Sequence, residues 1–306
     1  MSLAIALTGY FVLAIVGILD KFILTRTLPK PIVFAFYSSV FTLPVLFLVP
    51  FGVVWPGEAL AWLAALVSGV AFAAALWAMY QGFSEGEVSH MGPLVGATTP
   101  FFVALLGLTF LGEGFSAYQI LAIALLVIGS FFISLQRKPA SFKFFHGIAW
   151  AVAAGALFAL SHVTAKYMYD SYGFYSGFVW TRGAIGLGGL AMIFSSSVRE
   201  SLRGLGKKNN LEFLNPKSNS KLLVVGLDKI LGVAGVVLVQ YAIALGSVTI
   251  VNALAGVQYA ALVVFVAIIS KFAPRLFKEK YERGEMAQEM AAVAIIAVGL
   301  GILLVK

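Results

Sequence analysis

Two acidic–basic doublets, Asp20–Lys21 and Asp228–Lys229, interrupt runs that are otherwise almost wholly apolar. An ionisable side chain in such a run costs about 2.5–3.5 kcal/mol on membrane-insertion scales, so it needs a partner or water. Both doublets lie near the same end of their runs. Neighbouring residues on one helix point in different directions. This predicts pairing between helices, Asp20 with Lys229 or Lys21 with Asp228. Two roles stay open: a gate that breaks during a working cycle, or a static tie with lysines reaching toward headgroups. At the other end, His162 and Lys166 share a helical face, and Arg182 lies about two turns into the next run. Three potential cations with no acid at that depth would attract an anionic group such as a carboxylate. The alternative is a neutral imidazole and a guanidinium satisfied by helix-end carbonyls. Asp170 is assigned to the adjoining loop.

A second set of residues suits solute binding. Thr98–Thr99 and Gln258–Tyr259 fall at the midpoints of two corresponding runs. Asn252, Gly256 and Tyr259 share one helical face, as do Gly92, Gly96 and Thr99. Small residues there allow close helix approach or leave room for a ligand, and Pro93 and Pro100 remove backbone donors. These faces, with Tyr10, Trp77, Tyr80 and Gln81 from neighbouring runs, are expected to line a central cavity. The competing reading is ordinary packing, with threonine hydroxyls bonded to their own backbone. Such a lining suits a small amphiphile and ill suits a phosphorylated sugar.

The elements that must position these groups are helices in a bilayer. The chain has 306 residues, 61% hydrophobic and 11% charged, against about a quarter charged in a soluble domain. Ten runs reach the length of a transmembrane helix: 3–24, 31–50, 60–82, 90–112, 115–135, 146–168, 175–197, 221–243, 248–270 and 286–305. No soluble catalytic domain fits beside them, and Ser2 to Leu24 reads as a first span rather than a removed signal. The net charge of +8 comes from short turns and gives no nucleic-acid surface. Cysteine is absent, which excludes disulfides and thiolate metal sites. The three histidines form no ligand pair, and no phosphate-binding loop or nucleophile elbow is present. No catalytic residues, metal or cofactor are therefore expected. Glu113 is expected to cap the helix that follows it.

The second half restates the first. Ala14 and Lys21 correspond to Ala159 and Lys166; Gly86, Val88, Leu94, Gly96 and Val103 to Gly246, Val248, Leu254, Gly256 and Val263; Ala122, Ala124 and Gly129 to Ala292, Ala294 and Gly299. Mismatched spacing marks insertions near Ser196–Ser220 and Lys271–Glu289. Five spans per copy is odd, so the copies must be inverted, as in many secondary transporters. The fold class expected is an all-α polytopic membrane protein of ten helices. Its first repeat is 1–136, its linker 137–145 and its second repeat 146–306. The lysine and arginine residues gather on the side opposite the termini, which places that side in the cytoplasm and both termini outside the cytoplasmic membrane.

The stretch from Tyr80 to Ser134 carries Glu85-Gly86-Glu87, Pro93-Leu94, Pro100, Leu111-Gly112-Glu113 and Ile128-Gly129. With Lys166 and Trp180-Thr181-Arg182-Gly183, this resembles the EamA-type branch of the drug/metabolite transporter superfamily. The resemblance implies a ten-helix inverted-repeat transporter of amino acids, metabolites or drugs, working by alternating access. Members commonly hold both termini in the cytosol, and the charge distribution here points the other way. Related small multidrug pumps carry a proton-binding glutamate in the first span, where this chain has Leu13 and Phe158. Coupling through that site is not expected; protons would have to use Asp20, Asp228 or His162, and uncoupled diffusion is equally open. The expected partners are a small-molecule solute and the lipid bilayer, with the chain a monomer or homodimer. Alternatives are a lipid-linked substrate flippase, and a non-transport intramembrane enzyme or assembly subunit.

Overall fold

The computed structural model describes residues 1–24, 30–85, 88–135, 142–204, 219–272 and 283–305. Among these residues all regular structure is helical. The order is α1 (Ser2–Leu24), α2 (Pro31–Val40), a 3-10 segment (Leu43–Leu48), α3 (Ala59–Glu85), α4 (Val88–Phe110), α5 (Ala117–Ser134), α6 (Phe142–Ala191), a 3-10 turn (Met192–Phe194), α7 (Ser196–Gly204), α8 (Asn219–Leu245), α9 (Val248–Ala253), α10 (Ala255–Phe272) and α11 (Arg283–Val305). Nine stretches of the described residues are long and apolar enough to cross a membrane. The protein is integral and multi-pass.

One of the nine, His146–Phe194, has 49 residues. Gly173 breaks it with φ 72° and ψ 165°, a backbone state that glycine reaches without a Cβ penalty. Packing against α3 shows what the break does. Ser68 donates to the Ser161 carbonyl at 2.9 Å, and Gly82 faces Gly147, so α3 and the first arm of α6 run in opposite directions. Gly69 faces Ala184, and Ala73 faces Gly188, so α3 and the second arm run the same way. The chain therefore reverses at Gly173.

Other pairs are fixed by the same logic. Gly9 meets Val239, Leu13 meets Gly235, and Val16 meets Gly232, which makes α1 and α8 antiparallel. Gly96 meets Tyr259 and Gly107 meets Thr249, so α4 runs against α9 and α10. A Cβ on Gly129 would lie 3.2 Å from the Ala292 carbonyl oxygen, and one on Gly299 would lie 3.1 Å from that of Ala122. The α5–α11 crossing is thus antiparallel and reciprocal, and its four residues are the ones the sequence correspondence pairs. Without interhelical hydrophobic drive in lipid, small residues give backbones the close approach that packing needs.

Local signals set the ends. Pro31 opens α2, where its missing N–H is no loss. Ser116 and Gln119 form a reciprocal capping box on α5, satisfying two orphan donors. The second span departs from a plain α-helix: it tightens to a 3-10 segment around Pro44. Leu43 and Leu46 then project three apart, as 3-10 geometry aligns them, into Gly186 and Gly183 of α6. The polar stretch expected as an insertion begins with α7. Its Val198 is fully buried against Val33 and Phe36, and Lys30 pairs with Glu200 at 3.3 Å.

Candidate functional site

Two groups of expected site residues come together. In the first, the Tyr259 ring fills the space left by Gly92 and Gly96 on α4. A Cβ on Gly96 would lie 2.7 Å from Tyr259 Cζ, so only glycine fits. Tyr10 of α1 is buried in the same apolar cluster. Thr98 donates to the Leu94 carbonyl at 2.9 Å and Thr99 to that of Val95 at 2.8 Å, so both hydroxyls serve their own helix. Trp77, Tyr80 and Gln81 lie further along α3. Trp77 packs on Trp150 and is 37% exposed, while Tyr80 stands edge-on to Phe34 at 4.6 Å. Gln258 is half-buried beside Tyr259.

The second group is polar and joins both arms of α6 to α8 and α9. Asn252 donates from Nδ2 to the Val248 carbonyl at 2.8 Å. That leaves its Oδ1 facing His162 Nδ1 at 2.7 Å, so Nδ1 must carry the ring proton, an assignment resting on the hydrogen-bond network. The His162 ring stacks on Phe158. Arg182 is 7% exposed. Its Cζ lies 5.2 Å from the Phe72 ring centroid and 5.3 Å from that of Phe178. Arg182 also lies beside the Tyr169 side chain, whose hydroxyl donates to Gln240 Oε1 at 2.8 Å. Arg182 Nε has no partner among the described residues.

Desolvated cation–π contacts are worth about 2 kcal/mol, comparable with the insertion penalty of one arginine on the translocon scale. The guanidinium is therefore tolerated where it sits, with hydrogen-bonding capacity left over.

Lys166 behaves differently from the expectation. Asp170 belongs to the helix, one turn on, and pairs with Lys166 at 2.7 Å; Lys166 also donates to the Ala244 carbonyl at 3.3 Å. A lysine held by an acid at helical spacing adds no net charge, so Arg182 and Lys166 are not equivalent cations. The doublet in α8 also departs from the expected geometry. Lys229 Nζ lies 2.9 Å from Asp228 Oδ2, because a long exposed lysine can fold back on its neighbour. Asp228 is 1% exposed, and its Oδ1 has no partner among the described residues. The side chains of Asp20 and Lys21 lie outside the described residues, and the cross-pair with them.

Glu113 caps a helix, but a different one from that expected. Gly112, at φ 64°, turns the chain so that Glu113 reaches the start of α9. Its Oε1 accepts from the Val248 amide at 2.9 Å and its Oε2 from the Thr249 hydroxyl at 2.6 Å. The helix that follows Glu113 already has its own cap in Ser116. Glu113 thus ties the end of α4 to α9. Glu113→Gln should lower stability by about 1–2 kcal/mol, since a charge-assisted acceptor is lost. Thermal melting in detergent reads this, and an unchanged melting temperature would deny the tie.

Tyr169, Gln240, Phe72 and Phe178 were not anticipated. An amide in an apolar run is the signal that singled out Asn252 and Gln258, and Gln240 carries it too. A cleft of about 340 Å³ lies elsewhere, among Ser2, Ser116, Gln119, Ser247 and Leu303, and holds none of the expected residues. Among the described residues no cluster could hold a metal ion.

A model of the EamA-like transporter family matches residues 1–135. A solved crystal structure of a protein superposes with a TM-score of 0.66, covering 99% of this chain and 96% of its own. At 13% identity that likeness speaks for the fold alone. Among curated proteins none matches.

Proposed function

We propose, from the match of residues 1–135 to the EamA-like transporter family, that this chain is a drug/metabolite-type transporter, a ten-span carrier of small organic solutes. Two five-span halves lie upside down relative to each other, and rocking between them opens a shared site to each face in turn. The reading rests on the reciprocal α5–α11 crossing, where Gly129 meets Ala292 and Gly299 meets Ala122. Equivalent helices related by a two-fold axis make self-complementary contacts of this kind. The reversal at Gly173 supplies the tenth crossing. The site is assigned to the region between Tyr10, Tyr259 and the polar network of His162, Asn252, Tyr169, Arg182 and Gln240. Export or exchange of the solute across the cytoplasmic membrane follows as the activity.

Flux tests the proposal. Protein reconstituted in liposomes should exchange a labelled amino-acid mixture, and Tyr259→Ala should abolish that exchange. A well-folded preparation that moves no class of solute would remove the carrier reading. Orientation has its own measurement, since the chain lacks cysteine. Single cysteines at Ser141, Ser247 and Gly284 are exposed to an impermeant maleimide in whole cells. Labelling at Ser247 alone is expected from the charge distribution; labelling at the other two alone reverses the topology.

A further inference from the structure

We infer that Arg182 is the counter-charge for a carboxylate carried by the transported solute, the carboxylate sitting on a compact apolar or aromatic body. The inference rests on the transporter reading and names its substrate class. The other described cation expected in this cluster, Lys166, is already held by Asp170. Arg182 is left with two phenylalanine faces, one phenol and no acid among its described contacts.

The geometry of the remaining capacity matters. A guanidinium presents N–H edges that can grip a carboxylate with two parallel bonds. Nε sits on such an edge, is buried, and has no partner among the described residues. The anchor is preorganised: Tyr169 is fixed in turn by Gln240, so the guanidinium need not search for its orientation. Around it stand Phe72, Phe158, Phe178 and the His162 ring. That wall accepts an apolar body and offers no second cation. A phosphate dianion would keep one charge unmatched, whereas a single carboxylate is matched by Arg182.

The test compares an acid with its uncharged isostere on the purified full-length chain. Phenylacetate should raise the melting temperature in a saturable way, and 2-phenylacetamide should leave it unchanged. Phenylalanine forms a second arm: stabilisation by it as well as phenylacetate assigns the carboxylate in either a simple acid or a zwitterion. Arg182→Gln should weaken the phenylacetate response on the order of 10- to 100-fold, and Arg182→Lys should keep part of it. The acid–amide comparison in the unaltered protein decides the matter even where a variant fails to fold. Equal stabilisation by the amide, or no response to either acid, overturns the inference. Solute exchange in liposomes separates this from the carrier reading. Exchange that Arg182→Gln leaves intact overturns the carboxylate assignment and keeps the carrier. Phenylacetate binding through Arg182 without flux of any solute keeps the anchor and removes the carrier.

Discussion

Gly69→Val should leave almost no cooperatively melting protein. A Cβ at position 69 would lie 2.5 Å from the Ile185 backbone nitrogen and inside contact with the Ala184 backbone. Those atoms belong to a helix core and cannot rotate away as a side-chain tip can. The axes of α3 and the second arm of α6 would have to separate, and Ala73 along the same seam would lose its contact with Gly188. Overpacking of a close-packed interior typically costs about 1–3 kcal/mol; here the obstacle is backbone, so the upper end or beyond is expected. Gly301→Ala is the matched control. Nothing lies within 4 Å of a Cβ there, and helix propensity favours alanine by up to about 1 kcal/mol. Size-exclusion yield and melting in detergent should therefore separate the two variants sharply. Comparable behaviour of both would mean that α3 and the second arm of α6 do not meet as described.

Asn252→Leu comes next in size. Leucine keeps the branched shape and heavy-atom count of asparagine but is bulkier, so the aspartate variant below serves as the control for volume. The Nδ1–H of the half-buried His162 ring then faces an apolar side chain. An unpaired buried donor costs about 1–3 kcal/mol. Solute exchange should fall with it, because the imidazole loses the bond that sets its ring between Phe158 and Phe72. Asn252→Asp keeps an acceptor at the same place and should retain the ring position. A leucine variant with unaltered melting and unaltered exchange would show that the His162–Asn252 bond supports neither fold nor flux.

The two sites differ in how much of them the sequence made legible. Span positions were readable because apolar runs end where charge and glycine begin: the expected 3–24, 60–82 and 248–270 correspond to α1, α3 and the α9–α10 pair. Pairing was not readable in the same way. Glu113 was visible as a capping carboxylate, yet its target depends on where Gly112 sends the chain, and Ser116 had already claimed the nearer helix. Lys166 and Asp170 were visible as charges, but their bond depended on the first arm of α6 continuing a further turn to include Asp170. Arg182 was singled out by type alone. The aromatic faces that hold it come from Phe72, more than 100 positions away, and from Phe178, one turn back on its own helix. Phenylalanine is so common in this chain that no count could have marked those two. Residue chemistry was local information, and partnership was tertiary.

The tightened segment in the second span has a consequence for the lipid itself. Pro31–Leu48 has 18 residues, which as uninterrupted α-helix would reach about 27 Å. Six of them rise by about 2.0 Å instead of 1.5 Å, restoring a reach of about 30 Å, the usual hydrocarbon depth. This segment has no slack. Acyl chains a few carbons longer should strain it before its neighbours, making membrane thickness a lever on the packing of Leu43 and Leu46 against their glycine partners.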